Sequence, residues 1–356
     1  MSTSLPFEKK ELPVLIEECA GLVHAWRRGL PLPKLSRGAS VYGSFEDLGG
    51  LFSALDVKGD SQSRQKWLAT WQANAQRNWS FFRFLGRFWP VDLPAPLLFK
   101  GGAFTLELYR DWGARQVSDL DLMIPSPWFQ RAARSLALQL TSSYAQSLTE
   151  GEKRPHQIAF SGEGGLLELH HSPTPWGRFP FSTERIWRQS TVLSEGPMIS
   201  PLEAMSPALT HLRLPSPLDA LLLWLGNCAK GGAMSRWVEL IDLLLLIERI
   251  DPGPALERAI DRAELTPVWR LSLWQLSELG LRPTRWMRTP APTLSMRWLT
   301  TSPRTPTSPQ SPQRSRDPLA KFFLLSTRGK IDFSLRMARE LLSSRRSSSE
   351  RCSSAL

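Results

Sequence analysis

Apolar residues recur every three or four positions over residues 8–29, where Leu15, Ile16, Cys19, Leu22, Val23 and Trp26 form one stripe, and this spacing predicts a helix. A turn-rich piece, GLPLPKLSRGAS, separates it from a short apolar helix near residues 45–55. A long amphipathic helix follows over 61–88, its stripe made of Trp67, Trp71, Ala75, Trp79, Phe82 and Leu85. Aromatic residues at helical spacing pack a core far more often than they stack on bases. Pro94 and Pro96 introduce a strand at 97–100, Gly101-Gly102 opens a helix to Tyr109, and 119–124 reads as a second strand with a helix at 128–140 behind it. Strands at 157–161 and 166–170 flank GEGG, which is good hairpin chemistry. Beyond HHSPTPWGRFP the period becomes helical, with segments at 218–228, 236–249, 254–263 and 267–279. Pro, Ser and Thr dominate 289–318, the composition of a flexible linker; a last helix at 319–342 precedes a Ser/Arg end expected to be disordered. There is no internal repeat. The pattern predicts an α+β fold.

One segment departs from simple patterning. In LLFKGGAFTLELYRDWGARQVSDLDLMIP, two aspartates interrupt what otherwise reads as a buried strand. Residues two apart on a strand share a face, so Asp119 and Asp121 point one way while Leu120 and Leu122 enter the core. Two carboxylates so close repel, and each is expected to raise the pKa of the other. A cation relieves that repulsion, and hard oxygen ligands suit Mg²⁺. Upstream, Gly101-Gly102 at a helix start offers exposed N–H groups to phosphate and lets a ligand approach the backbone.

A glycine turn, a helix and then a strand ending in Asp-x-Asp together resemble the polymerase-β-like nucleotidyltransferases. The wider stretch is similar to a bacterial family of uncharacterised nucleotidyltransferases: Lys100, Gly101, Leu108, Tyr109, Gly113, Arg115, Asp119 and Asp121 match in order. NWSFFRFLGRF, RPHQIAF with LLELHHS, and WVELIDLLLLIERID extend the likeness over roughly residues 60–280. The resemblance implies a small mixed sheet with flanking helices and a helical C-terminal half. It also implies a third carboxylate on a neighbouring strand, and Glu168 in Glu168-Leu169-His170 fits, with His170 on the same face. The implied ligands for Mg²⁺, possibly two ions and with Mn²⁺ as a substitute, are Asp119, Asp121 and Glu168, which would also be the catalytic residues. Lys100, Gly101, Gly102, Arg115 and His170 would hold the NTP. Lys100 has two readings, a triphosphate ligand or a lysine snorkelling at a strand end. Arg115 either meets phosphate or braces Asp119 by a salt bridge. His156 occupies a family-like position without a clear duty. The implied reaction moves a nucleoside monophosphate from an NTP to an acceptor (small molecule, protein or RNA) and releases pyrophosphate. One departure stands out: where the family commonly has a histidine, LLWLGNCAKGGAMSRW carries Asn227 and Cys228.

The chain divides accordingly into an N-terminal helical region (1–90), a nucleotidyltransferase core (91–200), a helical domain (201–285), a linker (286–318), a C-terminal helix (319–343) and a tail (344–356). Charge changes the picture less than its sum suggests. The chain carries a net +11, but residues 285–356 hold 14 Lys and Arg against 4 Asp and Glu, a net of +10. The rest is nearly neutral, so a solvated basic tail is the better reading, and nucleic-acid binding through that tail is an alternative. A non-catalytic binding protein on the same fold is another. The 42% hydrophobic and 22% charged residues describe a mostly globular chain. MSTSLPFEKKELP lacks the apolar run of a signal peptide, and no segment reaches the length of a membrane span. Cys19, Cys228 and Cys352 have no metal-ligand spacing and fit a reducing cytoplasm. The chain offers no Walker loop, His-Glu-x-x-His or nucleophile elbow.

Overall fold

A computed structural model of the chain describes residues 12–45, 48–142, 157–162, 165–173, 179–193, 197–231, 237–278 and 281. The expected linker, C-terminal helix and Ser/Arg tail lie outside these, as does His156. Within them, four helices come first: α1 (Leu12–Arg27), α2 (Arg37–Phe45), α3 (Gly49–Ala54) and α4 (Ser61–Phe88). Asp60 starts α4 as its N-cap, accepting from the Ser63 N–H at 2.9 Å. At its other end Trp89 leaves the helix in an extended conformation just before Pro90.

Next come β1 (Leu97–Phe99), α5 (Lys100–Phe104), β2 (Leu120–Met123) and α6 (Ser126–Ala137). The strands β3 (Thr141–Ser142), β4 (Gln157–Gly162) and β5 (Gly165–His170) follow. A second group holds α7 (Thr183–Gln189), β6 (Thr191–Val192), α8 (Ile199–Met205) and β7 (Arg213–Leu214). The last helices are α9 (Pro217–Gly231), α10 (Trp237–Glu248), α11 (Pro254–Arg262) and α12 (Thr266–Glu278). The strands form one mixed sheet in the order β3-β4-β5-β2-β1-β7-β6. β1 runs antiparallel to β2, which is parallel to β5, and β4 and β5 make the expected hairpin.

Strand alternation sorts this sheet into two unlike faces. Leu98, Leu120, Leu122, Ile158, Phe160, Leu167 and Leu169 lie in the main core, against which α4, α5 and α6 pack. The opposite face of β1 and β2 supplies Leu97, Phe99 and Met123 to a smaller cluster with Ile186 of α7 and Leu223 of α9. Asp121, Glu168 and His170 occupy that second face beside this cluster. The site is therefore floored by apolar packing on one side and covered by the helical half on the other.

Two expectations change. The helix beginning at Lys100 gives way after Phe104 to a π-helical turn, Thr105–Tyr109, which ends on Arg110 in the left-handed region. The second strand begins at Leu120, so Asp119 lies just outside the hydrogen-bonded ladder, although it lines the same cleft as Asp121. Among the described residues no helix is long and apolar enough to cross a membrane.

Candidate active site

Parallel strands β2 and β5 build the floor. Asp121 is in register with Glu168 and Met123 with His170, so two acids from distant parts of the chain stand side by side at the spacing of neighbouring strands, roughly 4.8 Å. Asp121 is only 3% exposed. Its Oδ1 accepts from Lys100 Nζ at 2.5 Å and lies 3.0 Å from His170 Nε2. His170 Nε2 is also 3.5 Å from Glu168 Oε2, and Gln157 Nε2 donates to that same oxygen at 3.2 Å. Across the hairpin, Glu168 faces Ala159, a side chain too small to cover the carboxylate.

The electrostatics divide the acids. Burial alone would raise the Asp121 carboxyl, but the Lys100 ammonium and His170 override it and hold the pKa below the ordinary range. A hydrogen bond with His170 likewise depresses Glu168 against the effect of burial. Asp119 moves the other way: burial pushes it up and repulsion from Asp121 adds to that, although Ser118 Oγ donates to Asp119 Oδ1 at 2.7 Å. The mutual raising expected of an Asp-x-Asp pair thus falls on Asp119 alone, because a lysine already compensates Asp121. Lys100 is itself pulled down by burial and raised overall by Asp121, so it remains a cation.

Arg115 is ion-paired with Asp242 of α10 and not with Asp119. Its Nε donates to Asp242 Oδ1 at 3.0 Å and its Nη2 to Oδ2 at 2.8 Å, while Nη1 reaches the carbonyl of Gln116 at 3.0 Å. Tyr109, at the end of the π turn, donates to Asp242 Oδ1 at 3.0 Å, and Arg249 pairs with Glu107 of the same turn at 2.7 Å. Burial would lower the Arg115 pKa, but Asp242 raises it, so the guanidinium is permanently charged. Gly101 lies against it: a Cβ at that position would come within 2.6 Å of Arg115 Nη1. Gly102 has a different task. A Cβ there would stand 2.8 Å from Leu120 and 2.9 Å from Leu98, so this glycine lets α5 settle onto the sheet.

Residues 110–118, which carry Arg115 to the site, are fastened by α4. Asn78 donates to the carbonyls of Trp112 and Arg115 at 2.7 and 2.8 Å and accepts from the Val117 N–H at 3.1 Å. Asn74 donates to the Gly113 carbonyl, and the Trp71 indole N–H donates to Asp111. These asparagines and Asp242 are the participants that the sequence reading missed. A signal existed: Asn74 and Asn78 stand one turn apart within an apolar stripe, and Asp242 stands inside an apolar helix. Buried polar groups of this kind require partners.

The assembly encloses a cleft of about 420 Å³, a volume within the range of small-molecule sites. Lys100, Gly101, Arg115, Asp119, Asp121 and Glu168 line it, whereas Gly102 lies beneath and His170 is buried behind the acids. Trp224, Asn227 and Cys228 of α9 and Glu239 of α10 form the far wall, so the position where the family commonly has a histidine faces the cleft. Asp121, Glu168 and His170 each present a ligand atom, all within 4.8 Å of one another. Two carboxylate oxygens and an imidazole nitrogen, with the Lys100 ammonium already drawn to them as a stand-in cation, fit a divalent metal ion. Asp119 stands apart from that group on the cleft wall.

The model of a family described as uncharacterised nucleotidyltransferase matches residues 51–279, a span that contains the whole of this cleft. No curated protein and no solved structure matches the chain.

Proposed function

The chain belongs to the uncharacterised nucleotidyltransferase family, and from that premise we propose a divalent-metal-dependent transfer of a nucleoside monophosphate from an NTP to an acceptor hydroxyl or phosphate, with release of pyrophosphate. The observation that carries the reading is the register pairing of Asp121 with Glu168 at the floor of the cleft, with His170 in the same ligand group. Asp121, Glu168 and His170 would hold the cation, Mg²⁺ or Mn²⁺, and Asp119 would share a second one. When bound, such a cation supplies charge to the phosphates and lowers the pKa of the attacking hydroxyl. Lys100 and the peptide of Gly101, which line the cleft, would receive the triphosphate. Arg115, oriented by its bonds to Asp242 and Gln116, would contribute positive potential beside Gly101. The acceptor would enter along α9 and α10, past Asn227, Cys228 and Glu239.

The test is incubation of the full chain with each α-labelled NTP and Mg²⁺ or Mn²⁺, alone and with cell extract, followed by mass spectrometry of every labelled species. Label covalently joined to an acceptor, with pyrophosphate formed, is the expected result. NTP and metal binding without any transfer would replace the enzyme by a nucleotide-binding protein on the same fold.

A further inference from the structure

We propose that Lys100 is an exchangeable counter-ion of the metal site: its ammonium and the divalent cation compete for Asp121, and metal–nucleotide binding moves Lys100 from that carboxylate to the phosphates. This rests on the metal reading above and adds a coupling between metal and nucleotide that the reading does not contain. Asp121 Oδ1 already receives Lys100 Nζ at 2.5 Å and lies 3.0 Å from His170 Nε2. Oδ1 therefore already holds the ammonium, with the imidazole beside it, and a divalent ion that takes this carboxylate meets the ammonium in the same buried space. Like charges at that separation in a poorly solvated site do not coexist.

Of the two cationic side chains that line the cleft among the described residues, Lys100 is the less constrained. Arg115 is clamped by Nε and Nη2, which both donate to Asp242, and by Nη1, which donates to the Gln116 carbonyl. Among the described residues Lys100 is ion-paired at contact distance with Asp121, Glu168 and Asp119 attracting it from further off, and its four-carbon stem lines the cleft with a fifth of the side chain exposed. The Phe99 ring, 5.2 Å from Nζ, gives it a weak second anchor in its present position. Its backbone has φ +54°, a conformation unusual for lysine, at the point where β1 passes into α5. Lys100 and Gly101 line the same cleft, so in this proposal rotation of the lysine side chain exchanges one anion for the other. Lys100 stays charged throughout.

Mn²⁺ binding, read by electron paramagnetic resonance with and without a non-hydrolysable α,β-methylene ATP analogue, tests this on the wild type and on Lys100→Met. With Mn²⁺ alone, Lys100→Met is expected to bind about tenfold more tightly than wild type. The analogue is expected to tighten Mn²⁺ binding strongly in wild type and much less in the variant. Equal or weaker binding of Mn²⁺ alone by the variant would overturn the exchange while leaving the metal site standing. No Mn²⁺ binding by either protein would remove the metal reading, and the exchange with it. Acetic anhydride labelling of wild-type Lys100, read by mass spectrometry, guards against a variant that fails to fold. At Mn²⁺ levels that saturate the wild-type site without nucleotide, its labelling should rise about tenfold, and unchanged labelling would overturn the proposal.

Discussion

Asp119 and Asp121 are separated by one residue, yet their carboxylates respond oppositely to the fold. Asp121 is compensated by Lys100 and His170, so its depressed pKa contributes stability that is present above the unfolded carboxylate range, near 4, and is lost as pH falls through the folded value. Asp119 is raised by burial and by Asp121, so the native state binds its proton more tightly than the unfolded chain does. Its contribution is favourable below about pH 4 and declines as pH rises through the folded value. Asp119→Asn should therefore be as stable as wild type or more so at pH 7, with the difference vanishing in acid. Asp121→Asn should lose on the order of 3 kcal/mol, since it leaves a buried ammonium without its partner. Urea unfolding of both variants between pH 3.5 and 8 measures this, and equal behaviour of the two would contradict the assignment of Lys100 to Asp121 alone.

At the scale of elements, the sheet core and the helical half are joined by polar ties between the segment 107–115 and α10. Asp242 receives both Arg115 and Tyr109. Asp242→Asn breaks a buried ion pair and should cost roughly 3–5 kcal/mol. Gly101→Ala should cost about 1–3 kcal/mol, because the clamped guanidinium cannot retreat from a new Cβ. Thermal unfolding of the two single variants and the double variant gives the coupling: a double variant much less damaged than the sum would show that Asp242 is what holds Arg115 against Gly101. The long elements were legible because periodicity accumulates over many residues, and α4 runs over the residues its stripe predicted, Ser61–Phe88. The two-residue strands β3, β6 and β7 carry no period and could not be read. Asp119 was placed in a strand because its residue type alternates correctly, but alternation says nothing of where the ladder begins. The partnership of Arg115 with Asp242 spans 127 residues, and only the fold makes them neighbours.

At the scale of the whole molecule, the account depends on one long-range pairing, that of Glu168 with Asp121 across β2 and β5. The acid-apolar-histidine pattern pointed to Glu168, and it lines the cleft; the inclusion of His170 at ligand distance came from the structure. Glu168→Gln keeps the size and shape of the side chain and its place opposite Ala159, so the fold should survive. The most direct measurement is the rate at which label from an α-labelled NTP appears in the acceptor, compared between wild type and Glu168→Gln at equal metal–nucleotide occupancy. A fall of about a hundredfold or more, with nucleotide affinity changed only a few-fold, is the predicted result. A variant that transfers label at the wild-type rate would contradict the assignment of the active site to this pair.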